Sequence, residues 1–458
     1  MRGGAQRHPP RPAVTGGVTA GAVVWAAALL VVLGAPAVRS AAAASVSPAA
    51  TSAGDWRVGG WASLGFDTYS QRYYPTEQDT TEVLSELAAT LGAELSRRPA
   101  RGWQWRLRPE VSAGTERTQE RLAADQTWRA ADGAVLWRSE LQAEAIQYGS
   151  GSDYYLTSDS RRLRGRARWL PGARGRIGGE LRVEGEWLDY DEPSSLELDR
   201  REWLAGAALA SGRAAADRWR LGMRLGRRTY PDSSAISRDV GILEASYDHD
   251  DLEGVSWRLS WRSERRQVDR PEVRPSSWSH WLDAAVTWPL GDAGLELALE
   301  GEGEWWRYDT EQGVYTDLSR SRLVSLLRGG GLSGPAWSAG LAGELLDSDS
   351  EGESYRQLGL RVGADWFGDA FSGTLTLEAG KRHYLDTAAV APAASLTDLL
   401  DEPLYTDFTY LELWLTATWR LHRRLELDAL ASYLPENHDR EIDDQTLGLG
   451  SLRLVYRF

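Results

Sequence analysis

The sequence predicts an all-β fold, a single antiparallel up-and-down β-barrel of about 20 strands (roughly 18–20). Three observations support this fold class. Polar and apolar residues alternate with a period of two over long stretches, the connections between those stretches are alternately short and long, and a tryptophan recurs beside almost every short connection. Strict alternation puts side chains on opposite faces of a strand, whereas a helix would scatter the same charges around a cylinder.

The first 44 residues have the pattern of a secretory signal peptide. Arg2, Arg7 and Arg11 supply a positively charged start, residues 18–34 form an apolar run, and the small residues of 35–45 offer cleavage sites. The apolar run is marginal for a membrane helix, which needs about 20 residues, and its alanine-rich end favours cleavage. We therefore expect residues 1–44 to be removed. No later stretch reaches the length of a membrane helix without charged residues.

The composition excludes several kinds of partner and site. The 458 residues carry a formal net charge of −14, which is a poor match to the phosphates of nucleic acid, and no nucleic-acid partner is expected. The chain has no cysteine, which excludes disulfides, thiolate metal ligands and cysteine nucleophiles. We expect neither a metal nor a cofactor.

The alternating segments are the predicted strands. In residues 103–116, 177–187 and 295–305, apolar or small residues occupy one parity and mostly charged residues the other. Short connections rich in glycine, proline and aspartate are expected at residues 97–102, 131–133, 171–175, 211–217, 248–254, 289–294, 333–336, 367–370 and 421–424. Longer polar loops are expected at 67–80, 149–160, 190–199, 230–238, 265–277, 308–320, 347–354, 385–405 and 434–445, with a further short one near 117–120. Short connections at one end and long ones at the other are typical of a membrane barrel.

A soluble sandwich or a propeller would show a different pattern. Sandwich strands commonly have about 5–6 residues, whereas these segments run for about 10–14, enough to cross a bilayer at a tilt. A propeller would repeat a recognisable motif about every 40–50 residues. The indoles also favour a membrane barrel, because aromatic residues at one height form a girdle at the lipid interface. The nine residues expected in this girdle are Trp103, Trp137, Trp169, Trp219, Trp257, Trp288, Trp337, Trp366 and Trp419.

The end of the chain carries a family resemblance. In GLGSLRLVYRF, one parity is occupied by Gly448, Gly450, Leu452, Leu454, Tyr456 and Phe458. This stretch resembles the C-terminal strand of Gram-negative outer-membrane β-barrel proteins of the porin-like kind, which ends in phenylalanine with an aromatic residue two positions earlier. The resemblance implies recognition of Tyr456 and Phe458 by the barrel-assembly machinery. The strand pattern and the expected cleavage site predict a transmembrane barrel at 56–458 after a short periplasmic segment at 45–55. Such a barrel is expected to contact outer-membrane lipid and lipopolysaccharide.

A closed barrel turns its apolar parity to lipid and its polar parity to the interior. The basic residues expected to line the lumen are Arg106, Arg108, Arg162, Arg164, Arg166, Arg168, Arg218, Arg220 and Arg224. The acidic residues expected there are Glu180, Glu184, Glu186, Glu296, Glu300, Glu302 and Glu304. Two interpretations stay open: a ladder of cross-strand ion pairs along a wet wall, or an arginine face whose field draws anionic solutes into the pore.

The expected function is a porin-like channel for the passive passage of small hydrophilic solutes, with an arginine-rich lumen face that favours anions. The loop 385–405 is the longest and least polar. We expect it either to fold into the barrel mouth as a constriction, with a short helix near 395–401, or to pack against other loops or a partner.

Two alternatives remain. One is a non-transporting barrel that serves as a scaffold or as a component of a surface or export complex. The other is an outer-membrane hydrolase, which needs a histidine–carboxylate pair to activate water. The candidate pairs are His383 with Asp386, and His438 with Asp439, Asp443 or Asp444. Neither pair matches a known motif, so we expect no enzyme.

Overall fold

The computed structural model describes residues 56–458 apart from 74–79, 99–101, 133, 150–157, 171–176, 195–196, 212–216, 252–253, 292–293, 311–314, 331–334, 351, 386–405 and 440–443. The predicted signal peptide (1–44) and the whole of the predicted periplasmic segment (45–55) precede the described residues. The predicted constriction at 385–405 lies outside them too, apart from Leu385.

Twenty strands make up the described fold. They are β1 (Trp56–Tyr73), β2 (Thr80–Arg97), β3 (Gly102–Gly114), β4 (Arg117–Arg129), β5 (Val135–Tyr148), β6 (Ser160–Trp169), β7 (Ile177–Tyr190), β8 (Arg200–Ser211), β9 (Asp217–Thr229), β10 (Arg238–His249), β11 (Ser256–Val268), β12 (Ser277–Pro289), β13 (Glu296–Tyr308), β14 (Leu318–Gly330), β15 (Ala336–Ser348), β16 (Tyr355–Phe367), β17 (Phe371–Tyr384), β18 (Phe408–His422), β19 (Leu425–His438) and β20 (Gln445–Arg457). A 3-10 helical turn, Pro231–Ile236, precedes β10. In the described ranges, no helix is long and apolar enough to cross a membrane.

The sheet closes on itself. Each strand pairs antiparallel with the next along the chain, and β1 pairs with β20 from Trp61↔Arg457 to Tyr73↔Gln445. Closure leaves neither a first nor a last strand with an unpaired edge, which is what a bilayer demands of a spanning sheet. The predicted fold class and the predicted number of strands are therefore confirmed.

The two rims of the barrel differ, as the sequence predicts. At one rim the connections are short: β18 and β19 are joined by Arg423 and Arg424 alone. At the other rim they are longer, for example residues 191–199 between β7 and β8 and 385–407 between β17 and β18. We call these the short-turn rim and the long-loop rim. The chain enters β1 and leaves β20 at the short-turn rim, because the number of strands is even.

Several predicted loop boundaries are wrong. The strands β1, β11 and β19 end at Tyr73, Val268 and His438, inside loops that the sequence pattern places at 67–80, 265–277 and 434–445. Likewise, residues 117–120 begin β4, and the connection from β3 consists of Thr115 and Glu116. The reason is that ladder hydrogen bonds join backbone groups, so paired strands continue beyond the point where their side chains stop alternating.

The two faces of the sheet are distinguished by exposure and by contacts. Leu221, Met223 and Leu225 on one parity of β9 are at least half exposed, as expected of residues that face lipid. On the other parity, side chains from strands that are not neighbours meet: Arg322 of β14 lies 2.6 Å from Glu378 of β17. Side chains separated by two intervening strands converge in this way only on the concave side, so the charged parity faces the interior.

Candidate functional site

Four of the five arginines of β6 lie on the interior wall and face a ladder of glutamates on β7. Arg162 is 3.1 Å from Glu186, and Arg166 is 3.3 Å from Glu184. Arg168 is 3.9 Å from Glu180. The cause is the antiparallel register of these strands, which places residues of the same parity on one face at neighbouring heights.

The arginines of β9 reach the same glutamates across an intervening strand. Arg220 lies 3.2 Å from Glu180, and Arg224 lies 2.6 Å from Glu184, although β8 separates β7 from β9. On β8 the inward residues opposite Arg224, Glu180 and Arg220 are the small Gly206, Ala208 and Ala210, and the buried Leu204 stands opposite Glu184. A Cβ at Gly206 would come within 2.2 Å of a backbone oxygen and 2.5 Å of the Arg224 side chain. Small residues on β8 thus make room for two layers of charge to meet.

All nine arginines predicted to line the lumen lie within 4.0 Å of a carboxylate. Beyond those already described, the shortest such pairs are Arg106–Glu94 at 4.0 Å, Arg108–Asp125 at 3.2 Å, Arg164–Glu186 at 4.0 Å and Arg218–Asp250 at 3.8 Å. Among the inward arginines of β6, Arg164 has the longest ion-pair distance, 4.0 Å, and the most exposed side chain, with 52% of its surface accessible. It is therefore the arginine of β6 best placed to meet a solute.

The inward positions of β13 carry the predicted acidic residues Glu296, Glu300, Glu302 and Glu304. Glu300 pairs with Arg328, and Glu304 accepts hydrogen bonds from the indoles of Trp281 (3.1 Å) and Trp306 (2.5 Å). In the described part of the wall, Glu296 and Glu302 make no ion pair. The basic strand β6 and the acidic strand β13 lie seven strands apart in the twenty-stranded barrel, so the interior charge is unevenly distributed.

A recess of about 410 Å³ lies on the arginine-rich side of the interior. Its charged lining consists of seven arginines (Arg164, Arg166, Arg182, Arg200, Arg224, Arg228 and Arg262) and four glutamates (Glu184, Glu186, Glu202 and Glu244). Arginines therefore outnumber glutamates in the lining of this recess. A second recess of about 500 Å³ between β9 and β14 has four arginines and four carboxylates and is balanced.

Several of these arginines were missed by the sequence reasoning. Arg182, Arg200, Arg228 and Arg262 also stand on the inward parity of their strands. Arg228 continues the alternation of Arg224, so the period of two was a sufficient signal for it.

Two buried glutamates, Glu344 of β15 and Glu378 of β17, connect the strands from β14 to β18 by hydrogen bonds. Glu344 is 4% exposed and accepts hydrogen bonds from Nε and Nη2 of Arg320 (3.0 and 2.9 Å) and from the Tyr355 hydroxyl (2.5 Å). Glu378 is similarly buried and accepts from Arg322 (2.6 Å) and from the hydroxyl of Tyr410 (2.9 Å). These bonds hold the wall together.

The nine tryptophans of the predicted girdle all lie on the outward parity of their strands, close to the short-turn rim. Trp128 joins them, because it pairs with both Trp103 and Trp137. The sequence reasoning missed Trp128, although it stands two residues before a short connection. Tyr456 and Phe458 also face outward, and the amide and carbonyl of Phe458 bond to Gly60 of β1 (2.9 and 3.0 Å).

The histidines considered for hydrolysis have structural partners. His383 lies on the outward face and bonds to Asp407, not to Asp386, which lies outside the described residues together with Asp443. Burial alone would raise the pKa of Asp407, but hydrogen bonds from His383 and from the Tyr384 amide outweigh it and lower that pKa.

His438 also contacts neighbouring residues of the fold through its ring and its backbone amide. Its Nδ1 is 2.9 Å from the buried Thr406 hydroxyl, and its backbone amide donates to Asp444. Its ring packs against Phe408, with 4.5 Å between the centroids. The described residues contain no group of three His, Cys, Asp or Glu side chains placed to hold a metal ion.

Solved structures share this fold. The siderophore receptor PirA from Pseudomonas aeruginosa is 12% identical, with a TM-score of 0.50 over 88% of this chain and 80% of PirA. The FrpB iron transporter from Neisseria meningitidis is 9% identical, with a TM-score of 0.52 over 86% of this chain and 81% of FrpB. A BenF-like porin from Pseudomonas fluorescens Pf-5 is 10% identical, with a TM-score of 0.43 over 88% of this chain and 98% of the porin.

At these identities the likeness concerns the fold. With PirA and FrpB this chain shares the fold of an antiparallel β-barrel. No family model matches the chain, and no curated protein matches it.

Proposed function

We propose that this protein is an outer-membrane channel for the passive passage of small hydrophilic solutes, and that its wall favours anions. The observation that carries the proposal is the interior recess with seven arginines and four glutamates. Within a water-filled lumen bounded by protein and lipid, an excess of fixed positive charge raises the local concentration of anions.

The ion-pair ladder reduces this field without abolishing it. Arg164 has its nearest carboxylate, Glu186, at 4.0 Å, and Glu186 is shared with Arg162 and Arg200. Three guanidinium groups around one carboxylate leave donors for a solute. The planar fork of arginine suits the oxygens of a carboxylate or phosphate.

The proposal has further parts that follow from the sequence. The signal peptide is cleaved, the nine girdle tryptophans lie at the lipid interface, and Tyr456 and Phe458 are presented to the barrel-assembly machinery. Lipid and lipopolysaccharide of the outer membrane then surround the barrel.

The proposal is tested by the ion selectivity of refolded protein in planar bilayers. The wild type is expected to conduct and to pass chloride in preference to potassium under a KCl gradient. The Arg164→Glu substitution reverses a charge at the recess and should shift the reversal potential toward potassium. A matched control is Arg161→Glu, because Arg161 is the adjacent residue on the outward face of the same strand.

Two results would overturn the proposal. A wild-type channel that prefers potassium, or an Arg164→Glu variant indistinguishable from the Arg161→Glu control, would remove the role of the recess. A barrel that inserts but never conducts would support the scaffold alternative instead.

A further inference from the structure

Four arginines meet on the interior at the long-loop rim. Arg238 begins β10 and stands directly opposite Arg228 of β9. Arg266 of β11 lies diagonally across from Arg238 on the inward parity, since it stands opposite Val240, and the charge of Arg274 in the β11–β12 connection also acts on Arg238. Like charges directly opposite each other on adjacent strands destabilise a sheet, so this grouping requires a compensating interaction.

Arg238 itself lacks such compensation in the described residues. Its surface is only 5% exposed, its Nε has no hydrogen-bond partner, and it forms no ion pair there. Its guanidinium carbon lies 5.9 Å from the centre of the Tyr230 ring, a weak cation–π contact. A buried guanidinium without a carboxylate is unusual, because taking a charge out of water is costly unless a partner replaces the water.

The carboxylates near the other three arginines do not balance the group. Arg228 pairs with Glu202 at 2.7 Å, and Arg266 pairs with Glu264 at 2.7 Å. Glu264 is shared with a further arginine, Arg262, at 2.6 Å. Arg274 lies over the ring of Tyr315 at 5.4 Å and makes no ion pair in the described residues. Four guanidinium groups therefore share two carboxylates, one of which also pairs with Arg262, so the excess is at least two positive charges.

We propose that this arginine cluster, Arg228, Arg238, Arg266 and Arg274, binds the phosphate group of a solute that enters from the long-loop rim. The proposal rests on the proposed channel, which gives the solute access. A phosphate dianion matches the excess of two charges better than a monovalent carboxylate does. It also offers several acceptor oxygens to the donors of converging guanidinium groups.

Calorimetric titration of detergent-refolded, full-length protein with inorganic phosphate tests the site at constant ionic strength. The wild type should bind phosphate, while acetate and chloride should bind more weakly. Loss of charge-assisted hydrogen bonds in Arg238→Gln should weaken phosphate binding by about tenfold or more. Arg274→Gln should also weaken it, and this variant guards against misfolding because the Arg274 guanidinium has no ion pair to lose.

The control is Arg258→Gln at the short-turn rim, where Arg258 pairs with Asp248 and is 73% exposed. This variant should bind phosphate like the wild type. Absence of phosphate binding by the wild type, acetate binding as tight as phosphate binding, or unchanged binding by both cluster variants would overturn the inference. Because calorimetry does not require an open pore, a conducting barrel that ignores phosphate refutes only this site. A phosphate-binding barrel that never conducts refutes only the channel.

Discussion

The buried carboxylate of Glu344 offers a stringent test of how the interior wall is held together. In the structure this group joins β14, β15 and β16, because it accepts two hydrogen bonds from Arg320 and one from Tyr355. The Glu344→Ala substitution removes all three bonds and leaves the Arg320 guanidinium without its bidentate partner.

The expected cost follows from burial. Breaking a buried ion pair by removing one partner costs about 3–5 kcal/mol, because the remaining charge is uncompensated. Glu344 is 4% exposed, but the Arg320 side chain is 39% exposed and can be solvated again by lumen water. The lower end of the range therefore applies, and the free energy of unfolding should fall by about 3 kcal/mol. The Glu344→Gln substitution retains an acceptor and should cost about half as much.

Urea unfolding in detergent micelles, followed by tryptophan fluorescence, measures this loss. Asp347→Ala is a suitable control, because Asp347 lies on the same strand but faces outward and is exposed. Its effect should stay within about 0.5 kcal/mol. A loss below about 1 kcal/mol for Glu344→Ala would contradict the view that buried, bidentate pairs stabilise the wall.

Three further predictions concern other parts of the barrel. Gly340→Ala should destabilise the fold by about 2–3 kcal/mol in the same assay, because a Cβ there would lie 1.7 Å from a backbone carbonyl oxygen, whereas Gly343→Ala should be tolerated since its nearest contact is 3.9 Å. Phe458→Ala should lower the fraction of assembled barrel in the outer membrane, measured by heat-modifiable gel mobility; an unchanged fraction would remove its proposed role in assembly. The pKa of Asp407 is lowered in the folded state, so its bond to His383 stabilises the fold at pH values above the unfolded pKa of about 3.9. This stabilisation is lost as the pH falls through the folded pKa. The difference in melting temperature between wild type and Asp407→Asn should therefore shrink below about pH 4, and a constant difference would contradict this reasoning.

Much of the fold could be predicted because a barrel strand has two chemically different environments. Alternation in RRLRGRARWL predicts that Arg162 to Arg168 share a face, and the structure places them together on the interior wall. The nearest carboxylates also followed from sequence, because β7 comes next along the chain and must pair with β6. In an up-and-down barrel the sequence therefore predicts which strands are neighbours, because consecutive strands pair with each other.

Contacts across intervening strands could not be predicted. The pairing of Arg224 with Glu184 depends on the small inward residues of β8 and on the stagger between three strands. The contact between Arg322 and Glu378 spans two intervening strands and depends on barrel curvature. The alternation of side chains with a period of two predicts neither the stagger between strands nor the curvature of the barrel.

The arginine cluster at the long-loop rim was missed for a related reason. The sequence places Arg238 at the end of a loop, 230–238, whereas it is the first residue of β10. The predicted boundary is wrong by one residue. That residue matters because a loop arginine is expected to be solvated, whereas Arg238 on the inward face of a strand is buried. Its proximity to Arg228 and Arg266 therefore became visible only with the strand register.

The central claim, that an excess of positive charge in the interior governs which ions pass, is tested most directly by one electrical measurement. The reversal potential of wild-type protein in a planar bilayer under a KCl gradient should show a higher permeability for chloride than for potassium. A higher permeability for potassium would mean that the glutamates of β13 dominate the lumen field, and it would contradict the account.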